Sequence, residues 1–329
     1  MELTNKKTGA AVLSVASNSL LIILKVVIGI LIGSVAVLSE AIHSGVDLVA
    51  AVIALFAVRA SGREPDERHP YGHGKFENIS GTIEAVLIFL AAAWIIYEAV
   101  HKLVAPREID MPAWGVGVMF VSAVVNTLVS RRLFKVGKAT DSVALQADAW
   151  HLRTDVYTSV GVTIGLLVIL VGRYAAPDLN LRWVDPVVAI LVALMIMKAA
   201  WDLTRESARD LLDVSLPHED VQWIADFVAE GWPQVRSFHH LQTRKAGPQR
   251  FIDFHLVVDD YMSVAEAHTL ADEIVVAIKG RVPDSRVHIH VEPCDYGCKP
   301  VCVGGCSVEP EERETRQEQR RSTQPAGEA

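Results

Sequence analysis

Six stretches of this chain, at residues 9–32, 34–58, 80–100, 112–130, 156–172 and 184–200, are almost continuously apolar. Crossing a hydrocarbon core takes roughly 20 such residues in a helix, because lipid offers no partner for an unpaired backbone group. The run lengths therefore predict six transmembrane helices within residues 1–208 and exclude an ordinary soluble fold. The first run is too long for a cleavable leader, and no small-residue cleavage site follows it. Lys6, Lys7, Arg59, Arg63, Arg68, Lys75, Arg131, Arg132, Lys135 and Lys138 fall on one side of this arrangement, against Lys102, Arg107, Arg173 and Arg182 on the other. That bias predicts a multi-pass membrane protein with both termini in the cytoplasm.

From about residue 209 the pattern becomes amphipathic, as in a soluble domain. Residues 217–230 suit a helix, and 235–244 and 250–258 alternate like strands around an Ala-Gly-Pro turn. Ser263 and Glu266 form a capping box for a helix reaching about Lys279, and 286–292 suit a last strand. The order αββαβ over 209–293 predicts a small open sheet with helices on one face. A Cys-rich segment, 294–306, follows. Residues 307–329 carry no apolar periodicity and are expected to be a disordered tail. The net charge of −8 lies mostly in this soluble part, and nothing in it suggests nucleic-acid binding.

Two polar pairs interrupt the apolar runs. His43 and Asp47 stand four apart, and His151 and Asp155 repeat the spacing. Residues four apart share a helix face, so each pair presents two donors in one direction. Together they offer two nitrogens and two oxygens, a set that suits tetrahedral Zn²⁺ and suits Mg²⁺, Ca²⁺ or Cu⁺ poorly. For a lone histidine, hydrogen bonding inside a helix bundle is the simpler account. Four ionisable groups at membrane depth, each costing about 2.5–3.5 kcal/mol on insertion scales, favour a ligand role.

Three further groups hold metal-type donors. Asp66, His69 and His73 lie in the loop PDERHPYGHGKFE, where a solvated charged loop is an equal reading. The soluble domain carries His239, His240, His255, His268, His288, His290 and Glu292, of which 288, 290 and 292 share one face of their strand. Cys294, Cys298, Cys302 and Cys306 are spaced four apart, but the intervening glycines and proline oppose a single helix. A reducing cytoplasm disfavours disulfides, leaving a thiolate metal site or a spare thiol-rich tail as the readings.

On HSGVD in the second helix, Asp148, His151 and Asp155 as ADxxHxxxD in the fifth, the loop HPYGHGK, LLDVSLP, and the TR and HIHVEP signatures, residues 8–293 resemble the cation diffusion facilitator family of metal exporters, most nearly its bacterial YiiP-type zinc branch. The resemblance implies a homodimer in the lipid bilayer, the inner membrane of a bacterium, that exchanges cytoplasmic Zn²⁺ first, Co²⁺ or Cd²⁺ next and Fe²⁺ or Mn²⁺ least, for protons. It implies a transport site of His43, Asp47, His151 and Asp155 and a loop site of Asp66, His69 and His73. It also implies a two-metal cytoplasmic site of His239, His255, His268, His290 and Glu292 at the dimer contact, with His240 and His288 as further candidates. Lys75 and Asp213 resemble the family's hinge salt bridge. Two positions depart from the YiiP-type pattern: His43 stands where Asp is usual, as in animal zinc transporters, and Glu292 replaces an Asp. Outside the transporter class stand a membrane metal sensor and an intramembrane zinc hydrolase, the latter opposed by the lack of a Glu after either buried His.

Overall fold

A computed structural model describes residues 2–32, 35–104, 113–157, 160, 183–294, 296, 306 and 308–323. The chain divides into two units, Met1–Leu212 and Asp213–Ala329.

The first unit is helical. Its elements are α1 (Glu2–Ile32), α2 (Val35–Ser61), α3 (Lys75–Val104), α4 (Ala113–Ala139), α5 (helical over the described residues 143–157) and α6 (Val184–Leu211). Asn5–Ile28, Lys75–His101 and Pro186–Leu211 are each long and apolar enough to cross a membrane. At about 1.5 Å per residue, α3 measures roughly 45 Å, more than the ~30 Å hydrocarbon core requires. α6 also outruns its apolar stretch, so the division between units falls after Leu212 rather than 208. Much of the expected fifth run lies outside the described residues. α5 begins well before it, at residue 143, because its early residues bury small and polar side chains against other helices instead of showing an apolar face to lipid.

α5 joins two packing layers. Ala144, Leu145, Ala149 and Leu152 pack with Ala10 and Ala11 of α1, Val58 of α2 and Leu133 of α4. Val143 and Ala147 pack with Ile88 of α3 and with Ile196 and Ala200 of α6. Alanines dominate both contacts, as expected where helices associate by close backbone approach rather than by water exclusion. Leu20, Phe56, Leu90, Trp94, Phe120 and Leu191 point outward from the bundle.

The second unit runs α7 (His218–Glu230), β1 (Val235–Ala246), β2 (Gln249–Val258), α8 (Val264–Arg281), β3 (Ser285–Pro293) and α9 (Pro310–Thr323). The sheet order is β1-β2-β3, antiparallel then parallel, around a turn in which Gly247 takes φ 58°. Ser263 caps α8 by the expected capping box. Ile252, Phe254, Leu256 and Val258 of β2 bury one sheet face against Ile224 and Val228 of α7 and Ile274 and Ile278 of α8. Parity then turns His255 to the opposite, helix-free face.

The tail departs from expectation. Residues 310–323, PEERETRQEQRRST, form a helix instead of disordered chain. Glu, Arg and Gln are good helix formers, Pro310 starts the helix, and Glu311 and Glu312 occupy its first turn, where acids favour the helix dipole. None of this registers in apolar periodicity. Arg236 links the helix to the domain, 2.9 Å from Asp259 and 3.9 Å from Glu312. Arg316 lies over the rings of Tyr261 and Tyr296.

Candidate metal centres

In the helical unit the Nε2 of His151 on α5 lies 3.0 Å from Oδ1 of Asp47 on α2, and both residues are buried. The Nδ1 of His151 is buried with no hydrogen-bond partner among the described residues. A buried polar atom left without a partner is costly, and a ligand is one way to satisfy it. Asp155 stands one turn along α5, within electrostatic reach of the same imidazole. α2 carries His43, whose side chain lies outside those described. The structure thus brings together one member of each sequence pair and orients a third.

The loop before α3 draws its three expected residues into a cluster. Asp66 Oδ1 lies 3.3 Å from His69 Nδ1, and Asp66 Oδ2 lies 3.3 Å from His73 Nε2. Ligand atoms of all three fall within 4.8 Å of one another. The backbone N–H groups of His69 and Arg68 donate to Asp66 Oδ1 at 2.7 and 2.9 Å. Donation from His69 is the largest influence on the Asp66 carboxyl and holds it below its ordinary range. Gly72, at φ 91°, turns the chain so that its N–H reaches His69 O and His73 comes back over Asp66.

On the helix-free face of the sheet, Glu292 Oε1 lies 2.8 Å from His255 Nδ1 and 3.6 Å from His290 Nε2, and Oε2 lies 3.3 Å from His239 Nε2. The longer arm of Glu292 therefore reaches three imidazoles. Register explains the meeting: His239 pairs with His255 across β1 and β2, and His255 with His290 across β2 and β3. A bulge between His239 and Gln242 places His240, at φ 54°, on the same side. Its ring centroid is 5.1 Å from those of both His239 and His255. Strict alternation would have sent the two neighbours to opposite faces.

His288 and His268 stand apart from that cluster. His288 is exposed, 3.8 Å from Asp253, and His268 on α8 is exposed, 3.5 Å from Asp272. Cys294 and Cys306 are not disulfide-bonded, and the Cys294 N–H extends the sheet by donating to Val258 O at 2.7 Å. Cys298 and Cys302 lie outside the described residues. Within their own units, Lys75 Nζ donates to Leu211 O at 3.4 Å, and Asp213 Oδ1 accepts from Arg244 Nη1 at 3.3 Å.

Comparison with known proteins gives this arrangement a family. Residues 11–212 match the cation efflux transmembrane domain, and residues 216–294 match the cytoplasmic domain of cation efflux proteins. The chain is a member of the cation efflux family. An uncharacterized transporter of Synechocystis, sll1263, is 37% identical over 285 residues, 87% of this chain and 90% of its own. The cation-efflux pump FieF of Cronobacter sakazakii is 33% identical over 286 residues, covering 87% of this chain and 92% of its own. A solved metal-bound C-terminal domain of the CzcD transporter from Thermotoga maritima is 32% identical over 24% of this chain and 96% of its own, at a TM-score of 0.23. The resemblance to cation diffusion facilitators holds, and this cation efflux protein is a transporter and not an enzyme. Its helical transmembrane domain precedes a small cytoplasmic domain, as the sequence predicted.

Apart from Asp148, which stands in the fifth-helix motif, several buried polar groups of the efflux protein escaped the sequence reading. Glu77 at the start of α3 accepts from Lys7 of α1 at 3.2 Å, from Ser61 of α2 at 2.6 Å, and from Ser142 ahead of α5. Asn78 donates to Asp210 of α6 at 2.9 Å. Glu84 and Asp148 are fully buried. Glu84 takes a hydrogen bond from Ser80 at 3.3 Å, and neither Asp148 oxygen meets a donor in hydrogen-bonding geometry among the described residues, Ser14 being its polar neighbour. Lys25 is buried against Ser44. For Glu84 and Lys25 the available signal was a single charge inside an apolar run.

Proposed function

We propose that this cation efflux protein exports Zn²⁺ from the cytoplasm in exchange for protons, by alternating access about a site of His43, Asp47, His151 and Asp155. The observation that carries this reading is the buried contact between His151 and Asp47, a nitrogen and an oxygen donor 3.0 Å apart on separate membrane helices. Such a pair closes around a cation only if α2 and α5 keep their relation, and it opens if they shift. Imidazole binds metal only when neutral, and its ordinary value is about 6.5, so an arriving metal displaces protons and arriving protons displace metal. Two His and two Asp form a harder-to-soft borderline set that favours Zn²⁺ and Co²⁺ over Cd²⁺ and Mn²⁺.

The loop residues Asp66, His69 and His73 supply a second site. His239, His255, His290 and Glu292, with His240 beside them, form a cytoplasmic zinc site. The chain forms a homodimer joined through the cytoplasmic domains, and His268 joins that site from the second copy. Both termini lie in the cytoplasm of a bacterial inner membrane.

The test is flux from proteoliposomes loaded with Zn²⁺. Efflux that steepens under an inwardly directed proton gradient and disappears in Asp47→Ala is expected. Flux indifferent to an imposed pH gradient would overturn proton exchange, and flux retained in Asp47→Ala would overturn the site.

A further inference from the structure

Glu77 stands in the first turn of α3 and is fully buried. Its carboxylate gathers donors from three other parts of the bundle. Oε1 accepts from Lys7 Nζ of α1 at 3.2 Å and from Ser61 Oγ, at the last residue of α2, at 2.6 Å, and Oε2 accepts from the Ser142 hydroxyl directly ahead of α5. Lys7, Ser61 and Ser142 are buried as well. A carboxylate has room for about four such bonds, so three leave it nearly satisfied without water. Removing one partner from a dry ion pair costs about 3–5 kcal/mol, whereas water admitted to the whole cluster replaces every partner at once.

The four residues gather at one end of the bundle, where α1 and α3 begin, α2 ends and α5 is about to start. They also span both packing layers, since α1 and α2 belong to one and α3 to the other. The transport-site pair lies deeper: at 1.5 Å per residue, His151 stands roughly 13 Å along α5 from Ser142, and Asp47 roughly 21 Å along α2 from Ser61. Ser142 connects the two levels. Besides donating to Glu77, its Oγ accepts from the Leu145 N–H at 3.4 Å in the first turn of α5, in the manner of a helix cap. A displacement of Glu77 is therefore passed to the start of the helix that carries His151.

Resting on the alternating-access reading above, in which these helix ends face the cytoplasm, we infer that Glu77 is the latch of the cytoplasmic gate, holding four helix ends together on one carboxylate while the transport site is shut off from the cytoplasm. Such a gate is dry in one state and wet in the other, and the two states must lie close in free energy. An apolar seal meets the first demand and resists the second, because opening it exposes apolar surface to water. The Glu77 cluster meets both. Its polar groups satisfy one another when the ends close and are hydrated when the ends part. Closure fastens α3 to α1, α2 and α5 and separates Asp47 and His151 from the cytoplasm, and release admits the cation. Glu77 is a positioning residue and does not contact the cargo.

Glu77→Gln keeps the shape of the side chain and loses the charge that holds Lys7. Flux of the full-length protein in Zn²⁺-loaded proteoliposomes is expected to show a kcat at least tenfold lower and a KM on the loading side at least threefold lower, because the site loads readily and closes poorly. A bond that only stabilises the bundle predicts instead an earlier melt with kcat and KM per folded molecule within twofold of wild type, and that result overturns the inference. A second variant decides the matter if Glu77→Gln does not fold. Ser61→Cys with Ser142→Cys, in a chain whose Cys294, Cys298, Cys302 and Cys306 are changed to serine, keeps the Lys7–Glu77 pair. Joining the two introduced thiols with a short bis-thiosulfonate reagent is expected to stop flux, and a reductant to restore it. Flux that continues in the cross-linked protein, or thiols that the reagent never reaches, would show that the helix ends do not part during the cycle and would overturn the latch. Flux that survives Asp47→Ala overturns the transport-site reading instead, so the two failures are told apart.

Discussion

Replacing the imidazole of His43 with a third carboxylate, His43→Asp, adds negative charge and removes a borderline nitrogen from the proposed transport site. The ratio of Zn²⁺ to Cd²⁺ flux is expected to fall, and an unaltered ratio would show that this imidazole is not the selector. The loop offers a pH test. The Asp66 carboxyl is held below its ordinary value by the His69 N–H. A carboxylate lowered in this way contributes stability that is present above its unfolded value and lost only as pH falls through the folded one. Between pH 7 and 5 Asp66 therefore stays ionised and keeps its negative charge in the loop. Asp66→Asn is expected to weaken Zn²⁺ binding at the loop more than tenfold at pH 7 and, because a weaker site yields to protons sooner, to move half-release to higher pH. Calorimetric titration at several pH values checks both halves of that statement.

Among the elements, α5 is held between two helix layers by small side chains, and the crossing tolerates little growth. A Cβ on Gly81 of α3 would come within 2.8 Å of both Val143 Cγ1 and Ser207 Oγ. Gly81→Ala is expected to cost about 1–3 kcal/mol by overpacking and to lower the melting temperature of the detergent-solubilised protein. Flux should fall as well, because Val143 belongs to the helix that carries His151. In the soluble domain the bulge in β1 depends on a left-handed histidine, a conformation that costs a non-glycine residue about 1–2 kcal/mol. His240→Gly is expected to stabilise the metal-free domain by about 1 kcal/mol and to weaken its Zn²⁺ binding, so thermal stability and affinity move in opposite directions. A parallel loss of both would show that the bulge does not serve the cluster.

For the molecule as a whole, the C-terminal segment beyond the family domains raises a separate question. α9 rests on the cytoplasmic domain through Arg236 and the two tyrosines, with Val308 and Tyr296 buried. It thereby ties the chain that follows the Cys-containing segment to the same domain as the last strand, whose His290 and Glu292 belong to the imidazole cluster. Truncation after Pro293 is expected to lower the number of Zn²⁺ ions bound per chain without abolishing flux. Unchanged stoichiometry and apparent affinity would leave the cysteines without a metal role.

The apolar runs, the two histidine–aspartate pairs at helical spacing and the loop cluster of Asp66, His69 and His73 were readable from the chain alone, because each is a local pattern: run length, period, or proximity in sequence. The αββαβ order was readable for the same reason. Only the tertiary structure decided that His151 meets Asp47, 104 residues away, since that contact depends on which alanine faces of α2 and α5 fit together. It likewise decided that a bulge turns His240 toward His255, that Glu292 reaches three imidazoles, and that a polar tail with no apolar face forms a helix. Lys25 marks the boundary most sharply. Its position inside an apolar run is plain in the sequence, but whether such a charge faces lipid, the interface or a neighbouring serine is settled by the packing of α1 on α2, to which side-chain periodicity contributes a direction and not a partner.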